Sequence, residues 1–199
     1  MKLLTKVALG IVTSVTLGVV GMNQSVEAST VDHRVDSVGN YYDEKLVTVQ
    51  SAIDPWYVLD WDQSDLNNVC MFHNDGNWNQ KWGMMYNEED DSYTIMCGPH
   101  LFDNYLTSST LTETKNLDSF GNNKVGSYGG SFYNSSHWKL HKVGNHVNGG
   151  VYQFRNAQSG KLLDLSTGNV GNGESLVTRQ YTKDGIKSQE FVIHVEGEI

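Results

Sequence analysis

Three aromatic residues punctuate this chain at nearly equal intervals: Trp82, Trp138 and Phe191, separated by 56 and 53 residues. Each opens a stretch in which another apolar side chain follows two positions later: Gln80-Lys81-Trp82-Gly83-Met84, Ser136-His137-Trp138-Lys139-Leu140 and Gln189-Glu190-Phe191-Val192-Ile193. A two-residue period puts both apolar groups on one face of a β-strand. A repeat of this length is one supersecondary unit, and each copy must bury that face against its neighbours.

Two further landmarks keep the same phase. Each unit begins with a short alternating stretch, Val47-Thr48-Val49, Tyr93-Thr94-Ile95 and Tyr152-Gln153-Phe154. A second follows, at Val58-Leu59-Asp60-Trp61, Asn104-Tyr105-Leu106-Thr107 and Leu162-Leu163-Asp164-Leu165. A third strand is predicted in each unit, over Val69 to Phe72, Ser131 to Tyr133 and Leu176 to Tyr181. No stretch longer than a few turns has the spacing of an amphipathic helix. The fold class is therefore all-β, with four strands in each of three units, and twelve strands in threefold repeat close as a β-trefoil. A generic sandwich with strands of similar length packed in series is the competing arrangement.

The amino terminus carries Lys2 and Lys6, then an uncharged run from Val7 to Gly21 that is short for a bilayer span, and then Val26-Glu27-Ala28, with small or apolar side chains at the two positions a signal peptidase must accommodate. Residues 1–28 read as a secretory signal, which places the mature chain outside the cell with no remaining membrane span. Residues 29–45 lack the repeat pattern and read as an extension, a tail or one extra strand, and residues 46–199 form the trefoil domain. Removing the signal takes away Lys2, Lys6 and Glu27, so the formal net charge moves from −9 to −10. No basic cluster remains, which argues against nucleic acid or anionic lipid as a partner. The two cysteines, Cys70 and Cys97, either close a disulfide under oxidising conditions or sit apart as small buried apolar residues.

With Gln80-Lys81-Trp82, its weaker echo Gln189-Glu190-Phe191, and an upstream Leu-Asp-apolar strand in each case (Leu59-Asp60-Trp61 and Leu163-Asp164-Leu165), the chain from about residue 45 to 199 resembles the ricin B-chain lectin repeat. The resemblance implies pockets that hold a sugar with an aspartate after the second strand, an aromatic platform on the third, and an Asn or Gln beside the Gln-x-Trp turn. Such a set suits a pyranose, whose C–H face lies on an aromatic ring while its hydroxyls meet a charged acceptor and a bifunctional amide. Carried over by position, the first unit offers Asp60, Phe72 or His73 as platform, and Asn79 with Gln80. The third offers Asp164, Tyr181 and Gln189, with Arg179 as an extra donor nearby. In the middle unit Thr107 stands at the aspartate position and Ser136 replaces the glutamine, while residues 111–130 read as an irregular insertion. That unit is expected to serve barrel closure. Gln80 and Gln189 could equally satisfy buried turn backbone, and Asp60 and Asp164 could cap turns.

No nucleophile elbow, zinc helix, phosphate loop or dinucleotide turn occurs in the sequence, so no catalytic residue, metal or cofactor is expected. Asp60, Asp62 and Asp65 lack the glycine and closing glutamate of a calcium loop, and His137 and His141 are too far apart on a strand to share one metal. Glu88 to Asp91 reads as a solubilising acidic turn. The expected function is that of a secreted, non-enzymatic lectin with glycans as partners, acting alone or as the cell-binding half of a toxin with a partner subunit. The alternative is a trefoil protease inhibitor presenting a loop within 111–130.

Overall fold

The alternating stretches form twelve strands: β1 (Lys45–Ser51), β2 (Tyr57–Trp61), β3 (Val69–His73), β4 (Trp82–Asn87), β5 (Ser92–Cys97), β6 (Ser109–Leu117), β7 (Asn123–Gly129), β8 (His137–His146), β9 (Gly149–Asn156), β10 (Leu162–Leu165), β11 (Glu174–Arg179) and β12 (Phe191–Glu198). This computed structural model describes residues 38–97, 109–129, 134–181 and 186–199. The expected secretory signal, 1–28, lies outside the described residues, as does the extension up to residue 37. No helix among the described residues is long and apolar enough to cross a membrane.

Six strands close a ring. β1 pairs with β4, β4 with β5, β5 with β8, β8 with β9, β9 with β12, and β12 with β1, all antiparallel. The other six form three hairpins, β2–β3, β6–β7 and β10–β11. These hairpins meet each other: β11 pairs with both β3 and β7, and a bridge between Asn68 and Gly126 joins the remaining side. A six-stranded barrel capped by a triangle of hairpins is a β-trefoil, and ring closure leaves few strand edges unpaired.

The three punctuating aromatics occupy equivalent corners. Trp82, Trp138 and Phe191 are all fully buried. They stand opposite Val47, Tyr93 and Tyr152, the first residues of the three opening stretches. The Trp82 indole N–H donates to the Leu59 carbonyl at 2.9 Å, and the Trp138 indole donates to the Leu111 carbonyl, also at 2.9 Å. Each tryptophan thereby ties its barrel strand to its cap hairpin while satisfying the one polar group its ring buries.

The same hydrogen bonds correct the reading of the middle unit. Leu111 is the counterpart of Leu59, so the second and third strands are β6 and β7. Residues 111–129 are a paired hairpin rather than an irregular insertion. The strands expected at 104–107 and 131–133 lie outside the described residues, as does Thr107.

Tyr42, near the end of the extension, is part of the core. Where the second and third units supply Tyr93 and Tyr152, the first has only Val47. Tyr42, 3% exposed, fills that place from the turn preceding β1. Its hydroxyl donates to the Tyr152 hydroxyl at 2.9 Å, and its backbone N–H donates to the Tyr93 hydroxyl at 3.0 Å. The Tyr42 and Tyr152 rings meet edge to face with centroids 5.6 Å apart. Burial, with the Tyr152 hydrogen bond, raises the Tyr42 phenol above its ordinary range, and burial pushes that of Tyr93 up to about 12.

Cys70 and Cys97 are thiols, both buried, and form no disulfide. Cys70 faces Asp60 across a cap hairpin, whereas Cys97 faces Trp82 across two barrel strands. Burial and the neighbouring Asp60 push the Cys70 thiol up to about 12, which leaves it an unreactive small core residue.

Candidate functional site

In the first unit the backbone brings the expected polar residues together. Asp60 lies on β2, and a short 3-10 turn, Trp78–Gln80, carries Asn79 and Gln80 against it. Asn79 Nδ2 donates to Asp60 Oδ1 at 3.0 Å and to the Trp61 carbonyl at 3.1 Å. Gln80, with no exposed surface, donates through Nε2 to Asp60 Oδ2 at 2.9 Å and to the His73 carbonyl at 3.0 Å. Its Oε1 accepts the Asp75 backbone N–H at 3.0 Å. Gln80 is thus a structural knot that fixes the carboxylate and the strand end together, and it is too buried to meet a ligand itself. Burial raises the Asp60 pKa above its ordinary value, against the opposing pull of the Gln80 hydrogen bond. Each carboxylate oxygen has two lone-pair directions, so both retain capacity for a further donor.

The pleat decides between the two platform residues. Across the β2–β3 hairpin, Val58 faces Phe72 and Asp60 faces Cys70, so Asp60 and Phe72 share one side of the sheet. Tyr57 faces His73, which puts His73 on the opposite side with Leu59 and Met71. Phe72 is 40% exposed and lies diagonally across from Asp60, within reach of one bound ring. His73 instead stacks on Trp56, with centroids 6.0 Å apart and planes at 4°. Trp78, on the same turn as Asn79 and also partly exposed, meets Trp61 edge to face.

The third unit keeps the framework and sets a guanidinium against its carboxylate. Gln189, 1% exposed, donates to Asp164 Oδ2 at 3.0 Å and to the Gln180 carbonyl at 3.4 Å, as Gln80 does to Asp60 and His73. Because Gln180 is the counterpart of His73, Arg179 and not Tyr181 is the counterpart of Phe72. Arg179 faces Leu162 across the hairpin, and its Nη1 lies 3.2 Å from Asp164 Oδ2. The same guanidinium donates to the Leu165 and Ser166 carbonyls. A cation therefore sits where a platform would be and occupies the carboxylate. At the Asn79 position stands Ser188, too short to copy its bond. Asp164 Oδ1, Ser188 Oγ and Gln189 Oε1 are all buried without a hydrogen-bond partner. Asp164, Gln189 and Arg179 are brought together, and Tyr181, one position past Gln180, falls outside the constellation.

In the middle unit the corrected register makes Thr112 the counterpart of Asp60. Its hydroxyl lies 3.2 Å from that of Ser136, a neutral pair in place of the carboxylate and amide. Tyr128, 41% exposed, is the counterpart of Phe72, since Thr110 faces Tyr128 and Thr112 faces Gly126. Sequence reasoning missed Thr112 and Tyr128 because it anchored the unit on Leu106. The signal was present in the spacing: Leu59 precedes Trp82 by 23 residues and Leu111 precedes Trp138 by 27.

The acidic residues assigned to solvent have local partners. Asp62 accepts from the Ser64 and Asp65 backbone, the Ser64 hydroxyl and the Asn68 amide, closing the β2–β3 turn. Asp90 accepts from the Ser92 hydroxyl and pairs with His137 at 2.9 Å; these contacts hold its pKa below the ordinary value although burial pushes the other way. No cluster of three or more potential metal ligands occurs among the described residues.

Comparison with known proteins agrees with this geometry. Residues 134–198 match the model of the ricin-type beta-trefoil lectin domain-like family. Among solved structures, a mosquitocidal holotoxin is 27% identical over 76% of this chain, with a TM-score of 0.60, and the chain spans 17% of that protein's length. The designed threefold-symmetric protein ThreeFoil is 19% identical over 75% of this chain and 97% of its own, with a TM-score of 0.58. A ricin B-like lectin of Macrolepiota procera, solved with lactose, is 12% identical over 76% of this chain and 96% of its own, with a TM-score of 0.56. At their level of identity the last two establish the shared fold alone. No curated protein matches the sequence.

Proposed function

We propose that this chain is an exported, non-catalytic carbohydrate-binding module, and that its working lectin pocket is the one in the first unit. The observation that carries this reading is the Asp60, Asn79 and Phe72 constellation. A charged acceptor is held in place by a buried glutamine, an amide is fixed beside it, and a half-exposed aromatic ring lies on the same side of the hairpin. Pre-organisation of this kind lowers the ordering cost of binding. The third unit has lost its pocket to Arg179, and the middle unit has a ring but no charged acceptor. One shallow lectin pocket binds weakly, so firm attachment calls for further contacts or several copies of the chain on one surface.

The reading is tested on a glycan array with protein lacking residues 1–28. Asp60→Ala and Phe72→Ala are each expected to remove the same set of array signals, while Asp164→Ala leaves the glycan profile unchanged. A profile unchanged by Asp60→Ala, or no signal on any glycan, would remove this function.

A second reading, a cell-binding part of a larger toxin, is favoured by the similarity to one segment of the mosquitocidal holotoxin. It requires a catalytic partner, and co-purification of the exported chain with a second protein is its test. A protease inhibitor is disfavoured, because most of the proposed inhibitory segment is the paired β6–β7 hairpin.

A further inference from the structure

Apart from the Asp60, Asn79 and Phe72 constellation, a cleft of about 320 Å³ is lined by Gln50, Pro55, Trp56, Asn74, His146 and Asn148. The residues at its rim are not repeated in the third unit. The residue three positions before Leu59 is Trp56, whereas the residue three before Leu163 is Gly160. Asn74 follows His73, whereas Tyr181 follows Gln180. The β8–β9 turn contributes His146 and Asn148 to this first-unit cleft.

Each polar group on the wall is held by the protein and has an edge to spare. Asn148 Nδ2 donates to Gln50 Oε1 at 2.9 Å, which leaves Gln50 Nε2 as a donor and Asn148 Oδ1 as an acceptor. Reversing both amides leaves the same count. The Asn148 backbone N–H donates to His146 Nδ1 at 3.2 Å, which assigns the neutral ring's proton to Nε2 as a donor. Asn74 Oδ1 accepts the Gly76 N–H at 3.0 Å, and the Asn74 N–H donates to the Trp56 carbonyl at 2.8 Å, which leaves Asn74 Nδ2 as a donor. Trp56 itself is 68% exposed and is held on one side by its stack on His73. The wall contains neither a carboxylate nor a lysine or arginine.

We propose that this cleft is a second carbohydrate-binding site, separate from the threefold-related pockets, and that it takes a neutral N-acetylated hexosamine. The acetamido group presents an N–H and a C=O in one plane, which complements the Gln50–Asn148 pair. The sugar's apolar face packs on the Trp56 indole, and His146 Nε2 and Asn74 Nδ2 donate to ring hydroxyl oxygens. A wall without fixed charge selects a neutral ligand, because an acidic sugar would require a cation to offset its desolvation. A plain hexose leaves the amide pair half satisfied, and an unpaired polar group in a bound complex lowers affinity. The inference extends the carbohydrate-binding reading but uses none of the residues on which that reading rests.

The test is an NMR titration of the full mature chain with the methyl glycosides of N-acetylglucosamine and N-acetylgalactosamine, with methyl glucoside and methyl galactoside as controls. At least one acetylated sugar is expected to shift the Trp56 indole N–H and the Gln50 and Asn148 side-chain amides, and the controls to leave them in place. Trp56→Ala, with His146→Ala as the second variant, is expected to weaken that response by about tenfold or more. Unchanged signals from the buried Trp82 and Trp138 indoles establish folding, and Asp60→Ala is expected to leave the response intact. The proposal is overturned if acetylated sugars do not move these signals, if plain hexoses move them equally, or if Asp60→Ala removes the response. Loss of array binding in Asp60→Ala with a silent Trp56 would defeat this site and keep the lectin pocket. A responsive Trp56 with array binding indifferent to Asp60→Ala would do the reverse.

Discussion

Gln80 and Gln189 occupy equivalent places, yet the two should differ in what they contribute to stability. Gln80 makes three hydrogen bonds, to Asp60, to the His73 carbonyl and from the Asp75 N–H, all at 3.0 Å or less. Truncating it to alanine leaves a carboxylate oxygen, a carbonyl and an amide short of partners. At about 1 kcal/mol for each neutral bond and somewhat more for the charged one, the expected loss is about 3 kcal/mol. Gln189 makes one good bond, to Asp164, and one of 3.4 Å; its Oε1 has no partner, and Arg179 still holds Asp164 after truncation. Its loss should be about 1.5 kcal/mol. Both changes delete the same atoms from fully packed sites, so the cavity contribution is shared and the difference isolates the hydrogen bonds. Urea denaturation followed by tryptophan fluorescence reads this directly, with Gln80→Ala the less stable variant. In thermal unfolding of the same two variants the gap should appear as roughly 5 °C in Tm for a domain of this size. Equal stabilities, or the reverse order, would refute the view that the first unit is a satisfied, pre-organised network and the third a compromised one.

Three other outcomes follow from the same geometry. Glycan binding through Asp60 needs the ionised carboxylate, whose pKa is raised, so affinity should fall on acidification with a midpoint above the ordinary aspartate value of 3.8; a pH titration of binding checks this, and independence from pH down to that value would count against Asp60 as the acceptor. Tyr42→Phe removes only the bond to Tyr152 and should cost about 1 kcal/mol, whereas Tyr42→Ala empties the barrel floor and should cost about 3 kcal/mol or more, as measured by denaturant midpoint. The folded-state pKa of Asp90 lies below 3.8, so its stabilisation is complete above that value and disappears as the pH falls through the lowered pKa; Asp90→Asn should therefore lower stability at neutral pH by less than about 1 kcal/mol, with the difference vanishing in acid.

Where the repeat was marked by large side chains, the sequence was legible. Trp82, Trp138 and Phe191 must each bury a ring at one corner of a common core, so their spacing revealed the threefold symmetry, while Asp60, Asn79 and Gln80, which lie together in the structure, came from the resemblance to the ricin B-chain repeat. The middle unit was misread because its cap strands carry Leu111, Thr110 and Thr112 amid threonines, which have no pattern of their own until the Trp138 indole selects Leu111. The platform assignments failed or stayed open for a related reason. Facing across a hairpin depends on register, and a one-residue slip exchanges sheet faces, so Phe72 could not be separated from His73, nor Arg179 from Tyr181, without the pairing. The place of Tyr42 in the core depends on a vacancy opposite Trp82 that only the closed barrel exposes. The Trp56 cleft joins β1 and the connections after β1 and β3 to the β8–β9 turn, with Gln50 and Asn148 98 positions apart, and no local pattern marks it.

The most direct test of the account is a crystal structure of the mature chain with the glycan that gives its strongest array signal. The expected result is a sugar ring on Phe72 with hydroxyls at Asp60 and Asn79, while Arg179 remains on Asp164 with no sugar bound there. A sugar seated over Tyr128, or one displacing Arg179, with the first-unit pocket empty, would contradict it.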